Sequence, residues 1–202
     1  MEGKPLYMPV LVAVTTGLRR GGLFGLRWSD LDLDRASLTV NQSLEGKATF
    51  KAPKTKGSRR TITLPALTVE ALRAHRAEQG AERLRLGLGK PDLVFTRADG
   101  EPVSMDYVSH TFAELVVGLG LTPITFHGLR HTHISHQLMD GVHVKIVSER
   151  AGHANVSITL SVYAAFLPNL QADAAAGVDR WLRDALAEQV GGNSVAIRLF
   201  WT

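Results

Sequence analysis

Glycine punctuation between residues 125 and 163 constrains this chain more than any other feature. The stretch reads TFHGLRHTHISHQLMDGVHVKIVSERAGHANVSITLSVY. Glycine just past a helix end accepts the left-handed conformation that other residues resist. Gly141 and Gly152 therefore predict a helix ending near Asp140 and a shorter one closing at Gly152, with His153 on the connection. Thr125 is placed to cap the first helix, and Asn155 a third that carries Tyr163. His127 and Arg130 are three apart and share a face in the first turn, where free N–H groups and the positive dipole end favour an anion. An arginine, two histidines and a tyrosine around one helix N-terminus suggest a site for a phosphate and a nucleophile.

The bulk numbers narrow the class. With 202 residues the chain makes one large domain or two small ones, and 45% hydrophobic with 21% charged residues is ordinary globular material. A net charge of +4 favours polyanions mildly. The absence of cysteine excludes disulfides, thiolate catalysis and cysteine-based zinc sites, and suits a reducing cytoplasm, where the protein is expected. The opening MEGKPLYMPVLVAVTTGL is interrupted by Pro5 and Pro9 and reads as a core helix, not a signal peptide. No apolar run approaches membrane-spanning length, so no membrane partner is expected.

The expected architecture is α+β and mainly helical. A helix over 6–18 ending at Gly17 precedes a short one near 21–27 and a turn at Trp28-Ser29-Asp30. Leu38 and Val40 alternate with polar neighbours in a strand, and residues 48–52 and 60–64 supply two more, forming a three-stranded antiparallel sheet. A helix from Thr63 and Pro65 to about Gln79 leads into a polar, arginine-rich passage reaching Lys90. Ser104 caps a helix to about Val117, and a last helix spans about 170–189, with Val178, Trp181, Leu182, Ala185 and Leu186 on one stripe. One domain over 1–190 is expected, then a tail over 191–202 whose apolar residues would pack in cis or in trans.

Five ordered boxes carry a resemblance. TGLRRGGLFGLRWSDLDLD, KAPKTKGSRRTITLP, TFHGLRHT with SERAGH, and SITLSVY resemble, in order, the arginine box, lysine hairpin, His-x-x-Arg and histidine boxes, and tyrosine of the tyrosine recombinase (phage integrase) catalytic domain, over about residues 6 to 175. The resemblance implies a site-specific DNA recombinase that cuts and rejoins double-stranded DNA through a 3′-phosphotyrosyl bond, as a homo-oligomer on DNA, without metal, ATP or other cofactor. It implies Arg19 and Arg130 as the phosphate clamp, His127 as general base, His153 as a phosphate-binding histidine and Tyr163 as nucleophile. It implies a general-acid lysine in the hairpin, where the Thr-Lys-Gly order favours Lys56 over Lys54. Arg20, Lys51, Lys54, Arg59, Arg60 and His131 are expected to add DNA contacts. The family's N-terminal core-DNA-binding domain is absent from this sequence, which fits an excised domain or a truncated product. Gly22 stands where the family usually has an acid, and Ala151 where it often has Leu.

Each residue also has a plainer reading. Tyr163 shares a stripe with Val156, Leu160 and Leu167 and reads as a core tyrosine; Arg19 reads as a helix cap; the hairpin cations read as a solvated face. His127 and His131 are spaced i, i+4 like metal ligands, yet Gly128 stands where a zincin has Glu, and His133 and His136 rotate onto another face. The alternative function is a degenerate, non-cutting DNA-binding or interaction module derived from an integrase.

Overall fold

A computed structural model describes residues 6–46, 48–52, 59–164 and 170–190. The chain divides after Tyr163 into two compact units, Met1–Tyr163 and Ala164–Thr202. In the first unit the order is α1 (Tyr7–Thr16), α2 (Arg20–Phe24), β1 (Leu31–Asp32), β2 (Ser37–Thr39), β3 (Ser43–Glu45), β4 (Thr49–Lys51), β5 (Thr61–Thr63), α3 (Ala66–Arg85), α4 (Met105–Gly118), α5 (Gly128–Met139), α6 (Val144–Ala151) and α7 (Val156–Ala164). The second unit holds α8 (Leu170–Val190), whose Val178, Trp181 and Leu182 are exposed. The tail over 191–202 lies outside the described residues. Among the described residues, no helix is long and apolar enough to cross a membrane. The fold is mainly helical α+β with little sheet.

The sheet has three antiparallel strands, but not the expected three. Its order is β1-β2-β5, with Leu31 opposite Leu38 and Leu38 opposite Ile62. Asp32 makes the first hairpin, because its Oδ1 accepts the N–H groups of Asp34 and Arg35 at 3.2 and 2.9 Å. The expected strand near 48–52 instead forms a separate hairpin, β3 with β4, in which Leu44 faces Phe50. The break lies between β2 and β3, where buried Gln42 turns inward and donates to the carbonyl of Gly25 at 2.8 Å.

Helix α3 is longer than expected and runs through Gly80 to Arg85. The arginine-rich passage is good helix former, and an Arg85–Glu82 ion pair at 2.6 Å supports its last turn. Gln79 faces the chain beyond: it accepts from Trp28 Nε1 at 2.7 Å and donates to Thr96 Oγ1 at 3.1 Å.

Two cores position the site. The larger joins α1, α2, the sheet, α3 and α4, and Phe126 enters it with ring centroids 5.9 Å from Phe24 and 5.4 Å from Phe112. The smaller holds Ile134, Val147 and Ala151, with Leu138, Val142 and Val162 against them, and so joins α5, α6 and α7. The expected stripe on α7 is rotated: Leu160 is 48% exposed, whereas Thr159 is fully buried and Val162 faces the small core. A helix of nine residues has no long apolar face, and Thr159's hydrogen bond to His153 at 2.8 Å selects the inward side. Leu167 lies outside the described residues.

Helix α2 lies backbone to backbone on β3. A Cβ at Gly21 would stand 2.5 Å from Ser43 Oγ and 2.7 Å from the carbonyl of Leu44, whereas one at Gly22 would meet only Val40 Cγ1 at 3.6 Å. Gly21→Ala should therefore destabilise the protein by about 1–3 kcal/mol. Gly22→Ala should stabilise it by about 0.5–1 kcal/mol, because ordinary contact accompanies a gain in helix propensity. Urea denaturation of the two variants measures this; equal effects would show that the α2–β3 approach is not tight.

Candidate active site

The centre of the site is Arg130, only 3% exposed on the first turn of α5. Its Nη1 donates to the carbonyl of Gly17 at 2.5 Å and to that of Ala151 at 2.8 Å. Both acceptors belong to helix ends: Gly17 caps α1 in the left-handed conformation at φ 64°, and Ala151 is the last residue of α6. Helix C-termini leave carbonyls without intrahelical donors and carry partial negative charge, so a buried guanidinium is matched there without a carboxylate. Nη2 of Arg130 is buried as well and has no hydrogen-bond partner among the described residues. Burial, then Arg19 and Arg60, push the Arg130 pKa down to about 9, so the group stays charged at neutral pH.

Arg19 reaches the site from the turn between α1 and α2. Leu18 is buried and Arg19, extended at φ −65° and ψ 146°, points outward at the N-cap of α2. Gly17 sets that turn and cannot carry a side chain, since a Cβ would strike the ring of His133. His133, one turn along α5 from Arg130, meets the carbonyl of Val14 through Nδ1 at 2.9 Å. The end of α1 is thus clamped from α5 by two side chains.

His127 differs slightly from expectation. Helix α5 begins at Gly128, so His127 flanks it instead of lying in its first turn; Thr125 Oγ1 still caps by accepting from the Gly128 N–H at 3.0 Å. His127 and His131 lie edge to face with ring centroids 5.0 Å apart. Partial burial, followed by His131, Arg130, Arg19 and Arg20, lowers the His127 pKa, leaving a neutral imidazole at pH 7.

His153 follows Gly152, which ends α6 at φ 69°. Its Nδ1 is engaged with buried Thr159 Oγ1 at 2.8 Å. Burial, then Arg130, Arg19, Arg60 and His131, lower its pKa to about 4. Thr159 had no place in the sequence reading; a lone buried threonine in an apolar helix was the available signal.

Tyr163 closes the first unit, half-buried on α7, and its neighbour Val162 seats that helix on the small core. Tyr163 makes no hydrogen bond to the arginine–histidine cluster among the described residues. Lys54 and Lys56 lie outside those residues. The other cations separate. Lys51 is ion-paired with Glu45 on the β3–β4 hairpin. Arg20 turns to α4, donating to Ser109 Oγ at 2.5 Å and the carbonyl of Met105 at 3.2 Å. Arg59 is exposed and lines a small polar recess with Asp30, Asp32 and Asn41. Arg60 instead faces inward, half-buried, with Nε donating to the carbonyl of Arg150 at 2.6 Å. Burial and then Arg19 lower the Arg60 pKa to about 10. The cluster is therefore Arg19, Arg60, Arg130, His127, His131 and His153, and it can bind a tetrahedral anion beside a neutral histidine.

Comparison with known proteins gives this geometry a context. Residues 3–169 match the phage integrase family. A "Tyrosine recombinase XerC-like" protein of Caldanaerobacter subterraneus subsp. tengcongensis is 31% identical over 86% of this chain and 49% of its own length. The ICEBs1 integrase of Bacillus subtilis is 30% identical over 83% of this chain and 47% of its own. The chain thus spans about half the length of these relatives. A solved structure of the Tn1549 transposon integrase with transposon right end DNA superposes at a TM-score of 0.72, with 23% identity over 87% of this chain and 58% of that one. The XerA recombinase superposes at 0.66, with 22% identity over 86% of this chain and 57% of that one.

The buried histidines make stability depend on pH. Burial is the main cause that lowers His133, like His153, to about 4. Such a group favours the folded state fully above its unfolded pKa of about 6.5 and loses that benefit as pH falls through the folded value. The Tm should therefore fall progressively between about pH 6.5 and pH 4. Thermal melts across this range test it, and a Tm that stays flat would show that both rings protonate freely in the folded protein.

Proposed function

The chain belongs to the phage integrase family of tyrosine recombinases, and from that premise we propose that it is the catalytic domain of a site-specific DNA recombinase acting in the cytoplasm. It would cut and rejoin double-stranded DNA through a 3′-phosphotyrosyl bond, as one copy of a homo-oligomer assembled on DNA. The observation that carries this reading is Arg130: a buried guanidinium fixed through Nη1 by two helix ends, with Nη2 lacking a protein acceptor among the described residues. A non-bridging phosphate oxygen supplies that acceptor. The domain reading covers 1–190, with 191–202 as an interaction tail.

The reaction follows from the residues. Arg19 and Arg130 bind the non-bridging oxygens and stabilise the charge that builds on them in the transition state. Tyr163 Oη attacks phosphorus while its proton passes to neutral His127, and the bond from phosphorus to the 5′-oxygen breaks. His153 donates from Nε2 to a phosphate oxygen, its Nδ1 being held by Thr159. The hairpin lysine, Lys56 in preference to Lys54, protonates the leaving 5′-oxygen. The reverse steps rejoin the strand, since the phosphotyrosyl bond conserves the phosphodiester's energy; no metal or cofactor enters these steps. Arg20, Lys51, Lys54, Arg59 and His131 add contacts along the DNA backbone.

Adduct formation separates a recombinase from a non-cutting module of the same descent. The chain is incubated with a pool of nicked duplexes of random sequence, and denaturation-resistant protein–DNA complexes are counted. Tyr163→Phe should abolish them with folding and DNA affinity kept. Arg130→Lys should lower their yield by about 100-fold or more, because an ammonium cannot replace the guanidinium fork. Adducts at wild-type yield from Tyr163→Phe would overturn the nucleophile, and a wild-type chain that binds DNA but forms none would favour the module. The leaving group is tested with 5′-bridging sulfur, which departs without a proton: Lys56→Ala should be rescued on it. Rescue confined to Lys54→Ala would reverse that choice.

A further inference from the structure

We infer that Arg60 is a positioning residue of the active site, which by capping the end of α6 fixes the Gly152 turn and so sets His153 against the phosphate. This rests on the phosphodiester-transfer reading above and extends it to a residue for which the sequence suggests only an added DNA contact.

Two consecutive carbonyls at the end of α6 are taken by arginines from two distant parts of the chain. Arg60, just before β5, donates from Nε to the carbonyl of Arg150 at 2.6 Å, and Arg130, on α5, donates from Nη1 to that of Ala151 at 2.8 Å. The Arg60 guanidinium also lies flat against the next residue. A Cβ at Gly152 would stand 2.5 Å from its Nη1, 2.7 Å from its Cζ and 3.0 Å from its Nε. Gly152 is thus glycine for its φ of 69° and again for the arginine beside it. His153 comes next, its N–H donating to Ser148 at 3.0 Å and its ring turned to Thr159. Arg60 is itself anchored, because its carbonyl accepts from the Val40 N–H at 2.9 Å. The sheet therefore sets the position of the histidine turn through one side chain. Lysine supplies the charge and one donor but no planar group to lie along the Gly152 backbone.

Arg150 provides the control. It ties the same helix to the same strand, donating from both terminal nitrogens to Thr63 at 3.4 Å, but its side chain makes no hydrogen bond to the Gly152 turn among the described residues.

The test compares Arg60→Lys, Arg60→Met and Arg150→Met with the wild-type chain and Tyr163→Phe. Adduct formation on the nicked pool should fall about tenfold or more in both Arg60 variants, at little change in Tm, and stay within about twofold in Arg150→Met. A second readout needs no strand cleavage: inorganic phosphate is titrated while the ring 15N resonances of His153 are followed. Phosphate should shift them in the wild type and in Arg150→Met and leave them nearly unmoved in Arg60→Lys, although charge is conserved. Four results would overturn the positioning role. They are full activity in Arg60→Lys, an equal loss in Arg150→Met, a wild-type phosphate response in Arg60→Lys, and loss of folding in both Arg60 variants. A wild-type chain that shows the phosphate response but no adduct would sink the transfer reading alone and leave the role of Arg60 standing.

Discussion

Arg130 holds together three parts of the chain: the end of α1, the first turn of α5 and the end of α6. Its Nη1 bonds draw the end of α1 and the end of α6 onto α5, bringing residues more than a hundred positions apart into one wall. Taking a guanidinium out of water costs several kcal/mol, and a hydrogen bond to a charged group returns roughly 1.5–3 kcal/mol. Two such bonds return about 3–6 kcal/mol, the same order as the cost, while Nη2 is left without a partner among the described residues. Neither Arg130 nor Arg19 makes an ion pair with a carboxylate among the described residues. The cluster is thus built to be completed by an anion.

The helix ends explain how the fold tolerates this. α1 and α6 both finish in left-handed glycines, Gly17 and Gly152, and both turn carbonyls toward arginine. Each glycine also admits a side chain against its Cα, His133 at the first and Arg60 at the second. The turns that present Arg19 and His153 are therefore fixed by side chains from elsewhere in the chain as well as by their own glycines.

That arrangement decides what could be read in advance. Helix boundaries written by Gly17, Gly141, Gly152, Ser104 and Asn155 were legible, because each acts on its own neighbours. The pairing of strands was less so: Gln42's buried bond to Gly25 separates β2 from β3, and it joins residues 17 positions apart. The inward face of α7 was misread because a threonine, not a leucine, lies beneath it. Arg59 and Arg60 are adjacent and chemically identical, yet one is exposed and the other faces the cluster; both precede β5, and nothing local says which side is inward.

The histidines follow from the same charges. Their pKa values are lowered first by burial, then by His131 at His127 and by the arginines at both, so neutral imidazoles sit beside a cationic cluster. An incoming phosphate changes that balance. Its negative charge would offset the arginines' repulsion and so raise the affinity of the nearby imidazoles for a proton. How readily these imidazoles take a proton is thus set in part by the placement of Arg19, Arg60 and Arg130, not by the histidines alone.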